Sequence, residues 1–179
     1  MIAHLSSRYV YENRWMKVRE DQVRFPDGSD GIYGVVEKVD FVIVIPRHAD
    51  GRFEMVEQYR YPVGGRFWEF PQGAWETRPE VDLITVAHGE LEEETGLKAE
   101  SMTELGHLHQ ASGYSVQQYR AYLATGLSQG KMDRDHEEQD MITGRYTFEE
   151  IKGMIKAGQI MDQTTVSAIG LLMLSEDHP

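Results

Sequence analysis

Glu90-Leu91-Glu92-Glu93-Glu94-Thr95-Gly96 crowds carboxylates against a glycine, and the reading of this stretch decides the fold. Upstream, Thr77 and Glu80 form a Thr-x-x-Glu capping box, with Pro79 in the first turn where its missing N–H is harmless. Val81, Ile84, Ala87 and Leu91 then recur at three- and four-residue spacing, an apolar face for a core. Gly96 supplies the C-terminal stop. The spacing predicts one long helix that ends in acids. On it, Glu90, Glu93 and Glu94 share a face at i, i+3 and i+4, while Leu91 turns inward and Glu92 points toward solvent near His88.

Like charges so placed repel by roughly a few tenths of a kcal/mol per pair. The last turn also carries the negative end of the helix dipole. Stability alone would put Lys or Arg there. A bound cation accounts for the acids, and a hard divalent ion such as Mg²⁺ takes oxygen ligands. A solvated helix end is the ordinary reading of a Glu run. The helix-end position, the glycine stop and the preceding Pro71-Gln72-Gly73 loop weigh against it here. That loop also offers a backbone carbonyl as a further oxygen ligand.

The remaining chain reads as strands, one helix, more strands and two helices, a mixed α/β (α+β) sandwich. Tyr9–Phe25 alternates and ends at the Pro26-Asp27-Gly28 turn, with Ile32–Glu37 as the return strand. Asp40–Ile45 is a short β-branched run expected to be a buried strand. Asp50-Gly51 is a hairpin signal, after which Arg52–Tyr59 is expected to pair back. Phe67–Phe70, Glu104–Gln110, Gln117–Thr125 and Met141–Tyr146 read as strands, and 131–139 as a charged loop. Thr147 and Glu150 make a second capping box, for a helix ending near Gly158, and Asp162 caps a last helix to about Leu174. No linker or repeat divides the chain, so one domain over 1–179 is expected, with an N-terminal strand region to about 37 and a core over about 38–175.

Composition excludes several partners. A net charge of −12 argues against duplex nucleic acid and anionic membranes, which require basic surfaces. Zero cysteines exclude disulfides and thiolate-ligated metals. No signal-like N-terminus or membrane-length apolar run appears, so a soluble, cytoplasmic protein is expected. An acidic chain still binds an anionic small molecule where a metal and a few arginines reverse the field in one cleft. Arg60, Arg66 and Arg120 are candidates, with solvated surface arginines as the alternative.

Gly73 through Leu97 resembles the Nudix box, Gly-x5-Glu-x7-Arg-Glu-U-x-Glu-Glu-x-Gly-U, where U is a bulky aliphatic. Glu90, Leu91, Glu93, Glu94, Gly96 and Leu97 match its last segment. The wider order resembles the ADP-ribose pyrophosphatase branch: Glu57-Gln58-Tyr59-Arg60-Tyr61-Pro62, then Phe67-Trp68-Glu69-Phe70-Pro71-Gln72-Gly73, and later Gly158-Gln159-Ile160-Met161-Asp162 before an apolar helix. The resemblance implies an α/β/α sandwich with a mixed sheet, an N-terminal antiparallel region, and a homodimer contacting through roughly Tyr9–Glu37. It implies Mg²⁺, with Mn²⁺ as a substitute, held by Glu90, Glu94 and the Gln72 carbonyl, with Glu93 a ligand or a base. Water activation falls to Glu137 or Glu138, with Glu138 preferred. Substrate contacts fall to Arg60, Tyr59, Arg66, Trp68 and Glu69, although alternate residues on strands, such as Tyr59 and Trp68, are more often core.

The implied activity is metal-dependent hydrolysis of a nucleoside diphosphate sugar such as ADP-ribose. Three departures keep alternatives open. Gly89 stands where the box has Arg, which in the family orients the glutamates. Two extra residues follow Gly73, so Glu80 or Asp82 stands in for the early box Glu. Ser112, in Ala111-Ser112-Gly113-Tyr114, replaces a proline of many ADP-ribose hydrolases. GDP-sugars, dinucleoside polyphosphates, a coenzyme, or a non-catalytic ligand sensor remain alternatives.

Overall fold

The centre of the molecule is β4 (Phe41–Pro46), whose Val42, Ile43, Val44 and Ile45 are all fully buried. A strand buried on both faces needs a layer on each side. The computed structural model describes residues 1–134 and 138–175, so Glu137 lies outside the described residues. β4 sits in a mixed sheet ordered β7-β4-β9-β8, with β7 at Gln72–Gly73, β8 at Leu97–His109 and β9 at Gln118–Gln129. It runs parallel to β9 and antiparallel to β7. Alternation then sorts the core. Val42 and Val44 face Val86, Ala87 and Leu91 of α1 (Leu83–Thr95). Ile43 and Ile45 face Ile151 of α2 (Phe148–Lys156) and Ala168, Ile169 and Leu172 of α3 (Gln163–Ser175). The result is an α/β/α sandwich, as expected.

A second antiparallel sheet, β10-β5-β6, stands beside it, with β5 at Phe53–Arg60, β6 at Gly65–Glu69 and β10 at Ile142–Tyr146. Here the hairpin expectation is corrected. Asp50-Gly51 does turn the chain, with Gly51 at φ +82° and its N–H on the His48 carbonyl at 2.9 Å. Beyond the Arg47–Phe53 bridge, however, β5 leaves β4 and joins the other sheet. Both edges of β4 are already taken by β7 and β9, so no ladder remains for β5.

The residues before α1 also differ from expectation. Helix α1 starts at an Asp82 cap, whose side chain accepts the Ile84 N–H, and not at Thr77. Two successive turns, Arg78 N–H to Trp75 O at 2.9 Å and Val81 N–H to Arg78 O at 3.1 Å, engage the backbone that the earlier capping box would have started. Ile84 is consequently 37% exposed, and Val86 replaces it on the core face. The end is as read: Gly96 is left-handed at φ +71° and its N–H returns to the Glu92 carbonyl. The Thr147–Glu150 capping box is complete. Asp162 accepts the Thr165 N–H at 2.7 Å, capping α3.

The N-terminal strands β1 (Ala3–Glu12), β2 (Lys17–Arg24) and β3 (Asp30–Glu37) make their own antiparallel sheet. Val36 ties it to the core by exchanging hydrogen bonds with Tyr114 and Val116. Among the described residues, no helix is long and apolar enough to cross a membrane.

Candidate active site

The C-terminal half of α1 faces the end of β6 and the short strand β7. Glu90 and Glu94, one turn apart, are buried on the face that carries Leu91 and Ala87 toward the sheet. Gly73 makes room for the first of them. A Cβ on Gly73 would lie 2.3 Å from Glu90 Oε2, so only a glycine lets that carboxylate in. Glu94 is 1% exposed, and neither of its oxygens has a hydrogen-bond partner among the described residues. An unpaired buried carboxylate is among the costliest groups a fold can keep.

Its surroundings raise that cost. Burial holds the Glu94 carboxyl well above its ordinary range, and Glu90, Glu138 and Glu69 push the same way, opposed by Arg60. Glu69, at the end of β6, is itself 1% exposed. Burial pushes its carboxyl up to about 7, with Asp162 adding to the rise while Arg60 and Gln58 oppose it. Five acids and one guanidinium therefore act on one desolvated region, and a small hard cation fits that donor set. Among the described residues, no three acidic or imidazole side chains already form a cage for a metal.

The structure brings together some of the residues singled out from the sequence and separates others. Arg60 forks onto Glu69, at 2.5 Å and 3.2 Å, and Gln58 also donates to that carboxylate. Gln72 is paired with Ile43, and its side-chain amide reaches Asp162 at 3.1 Å. Glu138 reaches Glu94 electrostatically from the segment before β10. Glu93 is only partly buried. Arg66 is engaged by Glu57 at 2.9 Å and Asp140 at 2.5 Å. Arg120 pairs with Glu104 at 2.8 Å and senses Asp82, at the opposite end of α1 from Glu94. Tyr59 is 48% exposed. Trp68 packs edge-on against Tyr146, ring centroids 5.0 Å apart, and against the core.

Arg134 was not anticipated. Helix α1 has no basic residue in its last turn. Arg134 supplies that charge from outside, donating Nε and Nη2 to the Glu94 carbonyl at 3.0 Å and Nη1 to the Met141 carbonyl. It thereby complements the helix dipole and ties the acid-bearing helix end to the segment that carries Glu138. The unmet need for a C-terminal cation was the only sequence signal for it.

Residues 4–36 match the nucleoside diphosphate sugar hydrolase N-terminal domain, and residues 37–164 match the NUDIX domain. The chain belongs to the Nudix family, as a pyrophosphatase of its nucleoside diphosphate sugar hydrolase branch. It is 35% identical over 166 residues to an ADP-ribose pyrophosphatase of Mycobacterium tuberculosis, covering 92% of this chain and 80% of the relative. It is 32% identical over 176 residues to a methanol dehydrogenase activator of Bacillus methanolicus, covering 96% and 92%. The crystal structure of an ADP compounds hydrolase shares the fold, with a TM-score of 0.85 at 19% identity over 98% of this chain and 94% of that one. Nudix hydrolases generally use divalent cations.

Proposed function

We propose that this protein hydrolyses the diphosphate of ADP-ribose, or a closely similar nucleoside diphosphate sugar, to AMP and ribose 5-phosphate with Mg²⁺ or Mn²⁺. The observation that carries the proposal is the pair of orphaned Glu94 oxygens, buried among further carboxylates. Relatives named ADP-ribose pyrophosphatase support the choice of substrate. Glu90, Glu94 and the Gln72 carbonyl would hold the cation, with Glu93 as a further ligand or a base. Two or three protein oxygens suffice, because Mg²⁺ keeps waters and takes substrate phosphates in place of an all-protein cage. When bound, the ion supplies charge neutralisation at the phosphoryl oxygens and a lowered water pKa.

The side chains do the rest. Glu138 accepts the proton of the attacking water. Water oxygen bonds to one phosphorus as the bond from that phosphorus to the bridging oxygen breaks, and the other phosphate leaves with that oxygen. Arg60, held by Glu69, is placed to receive diphosphate charge, and Arg66 lies on the neighbouring strand. Tyr59 offers an exposed ring face for base or ribose, and Trp68 lies on the neighbouring strand. Phosphoryl transfer needs little covalent help from the protein, so positioning and charge dominate.

The test is a substrate panel at saturating Mg²⁺ and Mn²⁺: ADP-ribose, a GDP-sugar, a dinucleoside polyphosphate and a dinucleotide coenzyme. AMP and ribose 5-phosphate are the expected products from the first. Preferential cleavage of another member would move the substrate, a reading that Ser112 and the similarity to a methanol dehydrogenase activator keep in view. Binding of a panel member without any product would point to a ligand sensor.

The N-terminal sheet is proposed to form a homodimer interface. Strand β1 is exposed along its whole length and lies at a sheet edge, with Leu5, Tyr9, Val10 and Tyr11 all open. Exposed apolar edges of this kind ordinarily meet a partner. Sedimentation at micromolar concentration is expected to give twice the 20.5 kDa chain mass, and a monomer would overturn the assignment. The cytoplasm, as a reducing compartment, is the proposed location for a chain with no cysteine.

A further inference from the structure

Two glycines lock the segment between β7 and α1 onto the helix, each admitting a side chain from the other element. Gly73, at the start of the segment, faces the Glu90 carboxylate of the helix at the contact described above. Gly89, inside the helix, faces Trp75 of the segment. A Cβ on Gly89 would lie 2.2 Å from Trp75 Cζ2 and 2.9 Å from Cη2. The indole is also covered by Arg78, whose Cζ stands 3.9 Å from the ring centroid. The same ring packs against the cluster of Val86, Ala87 and Leu91. Glycine weakens a helix interior, so position 89 has a reason to stay glycine only if the indole must sit there.

Gly89 precedes Glu90 directly. We infer that Trp75 is a positioning residue for the acid cluster: seated on Gly89 beneath Arg78, it sets the spacing between helix and β7, and with it the place of the Glu90 carboxylate against Gly73. A ring wedged at van der Waals contact leaves the helix no room to approach or roll. The two added residues of the segment and the small residue at 89 are thus one device, since the longer segment carries the ring that the missing side chain admits. The inference rests on the proposed hydrolase reading only through the role given to Glu90 as a cation ligand.

The test is Mn²⁺ binding by calorimetry on the full chain, alongside thermal unfolding. W75A is expected to weaken Mn²⁺ binding about tenfold or more, as loss of a ligand-orienting group does. W75F, whose shorter ring stops before the Cζ2 and Cη2 positions that meet Gly89, should also weaken Mn²⁺ binding, by less than W75A. G89A should weaken Mn²⁺ binding and lower Tm in the wild-type background, where the methyl meets the ring. In the W75A background the same change should raise Tm, because alanine favours the helix and nothing opposes it. A Trp75 that only stabilised the fold would lower Tm in W75A and leave the Mn²⁺ affinity of the folded protein unchanged, and that result overturns the inference. So does a G89A penalty of equal size in both backgrounds. A wild-type protein that binds Mn²⁺ but cleaves no panel member counts against the reaction proposed above, and the affinity series still decides this inference.

Discussion

The E94Q protein is expected to lose turnover on the order of a thousandfold, because a ligand to the cation supplies several kcal/mol of charge stabilisation in the transition state. It is also expected to unfold at a higher temperature than the wild type when divalent cations are chelated. Both effects come from one carboxylate. Glutamine has nearly the same shape, so packing around position 94 is kept. The charge is removed from a place where neither oxygen has a hydrogen-bond partner among the described residues and where Glu90, Glu138 and Glu69 oppose its ionisation. The amide is still polar but carries no charge, so the desolvated repulsion between position 94 and the neighbouring carboxylates is relieved. For a chain of this size, each kcal/mol moves Tm by about 2–4 °C.

The pH dependence has a definite sign. Glu94 and Glu69 hold their protons more tightly folded than unfolded, so their contribution to stability is full below the ordinary carboxylate value of 4.5. It is lost as pH rises, and for Glu69 the loss runs through about 7. Metal-free wild type should therefore weaken between about pH 5 and 7 through these groups, and E94Q should weaken less. Added Mg²⁺ should flatten the wild-type slope by binding the deprotonated form. Thermal unfolding of both proteins in EDTA and in Mg²⁺, from pH 5 to 8, measures all of this. An E94Q protein that melts below the wild type in EDTA at pH 8 would sink the account of Glu94 as a strained ligand.

G73A should separate folding from metal binding. The added methyl would meet Glu90 Oε2 at 2.3 Å, the far end of a flexible side chain that can swing away. The fold is expected to survive with little change in Tm, but the carboxylate is displaced from its seat. Mg²⁺ required for half-maximal rate should rise by roughly 10- to 100-fold, the range seen when ligand orientation is lost. High Mg²⁺ should recover part of the rate. An unchanged Mg²⁺ dependence in a folded G73A protein would remove Glu90 from the proposed ligand set.

Features that depend on neighbours in the chain were legible in the sequence. The Gly96 stop, the Thr147–Glu150 box and the Asp162 cap each involve groups within a few residues, and each is present. The Thr77–Glu80 box has the same pattern and fails, because the turns closing at Trp75 and Arg78 compete for the same backbone. The Asp50-Gly51 turn forms, yet its strands part, since pairing depends on which edges of β4 are free. Arginines were the hardest to read. Arg60, Arg66 and Arg120 each meet an acid whose position depends on strand register or on a distant segment, and Arg134 reaches a helix end 40 residues upstream.

The sequence alone determined which carboxylates share one helix face and where that helix stops, because both follow from a 3.6-residue period and one left-handed glycine. Only the tertiary structure decided that Glu94 loses its water, that Glu69 and Glu138 come to stand near it, and that Trp75 fills the space at Gly89. Desolvation and charge coupling are sums over atoms brought close by packing, and chain order does not contain those distances.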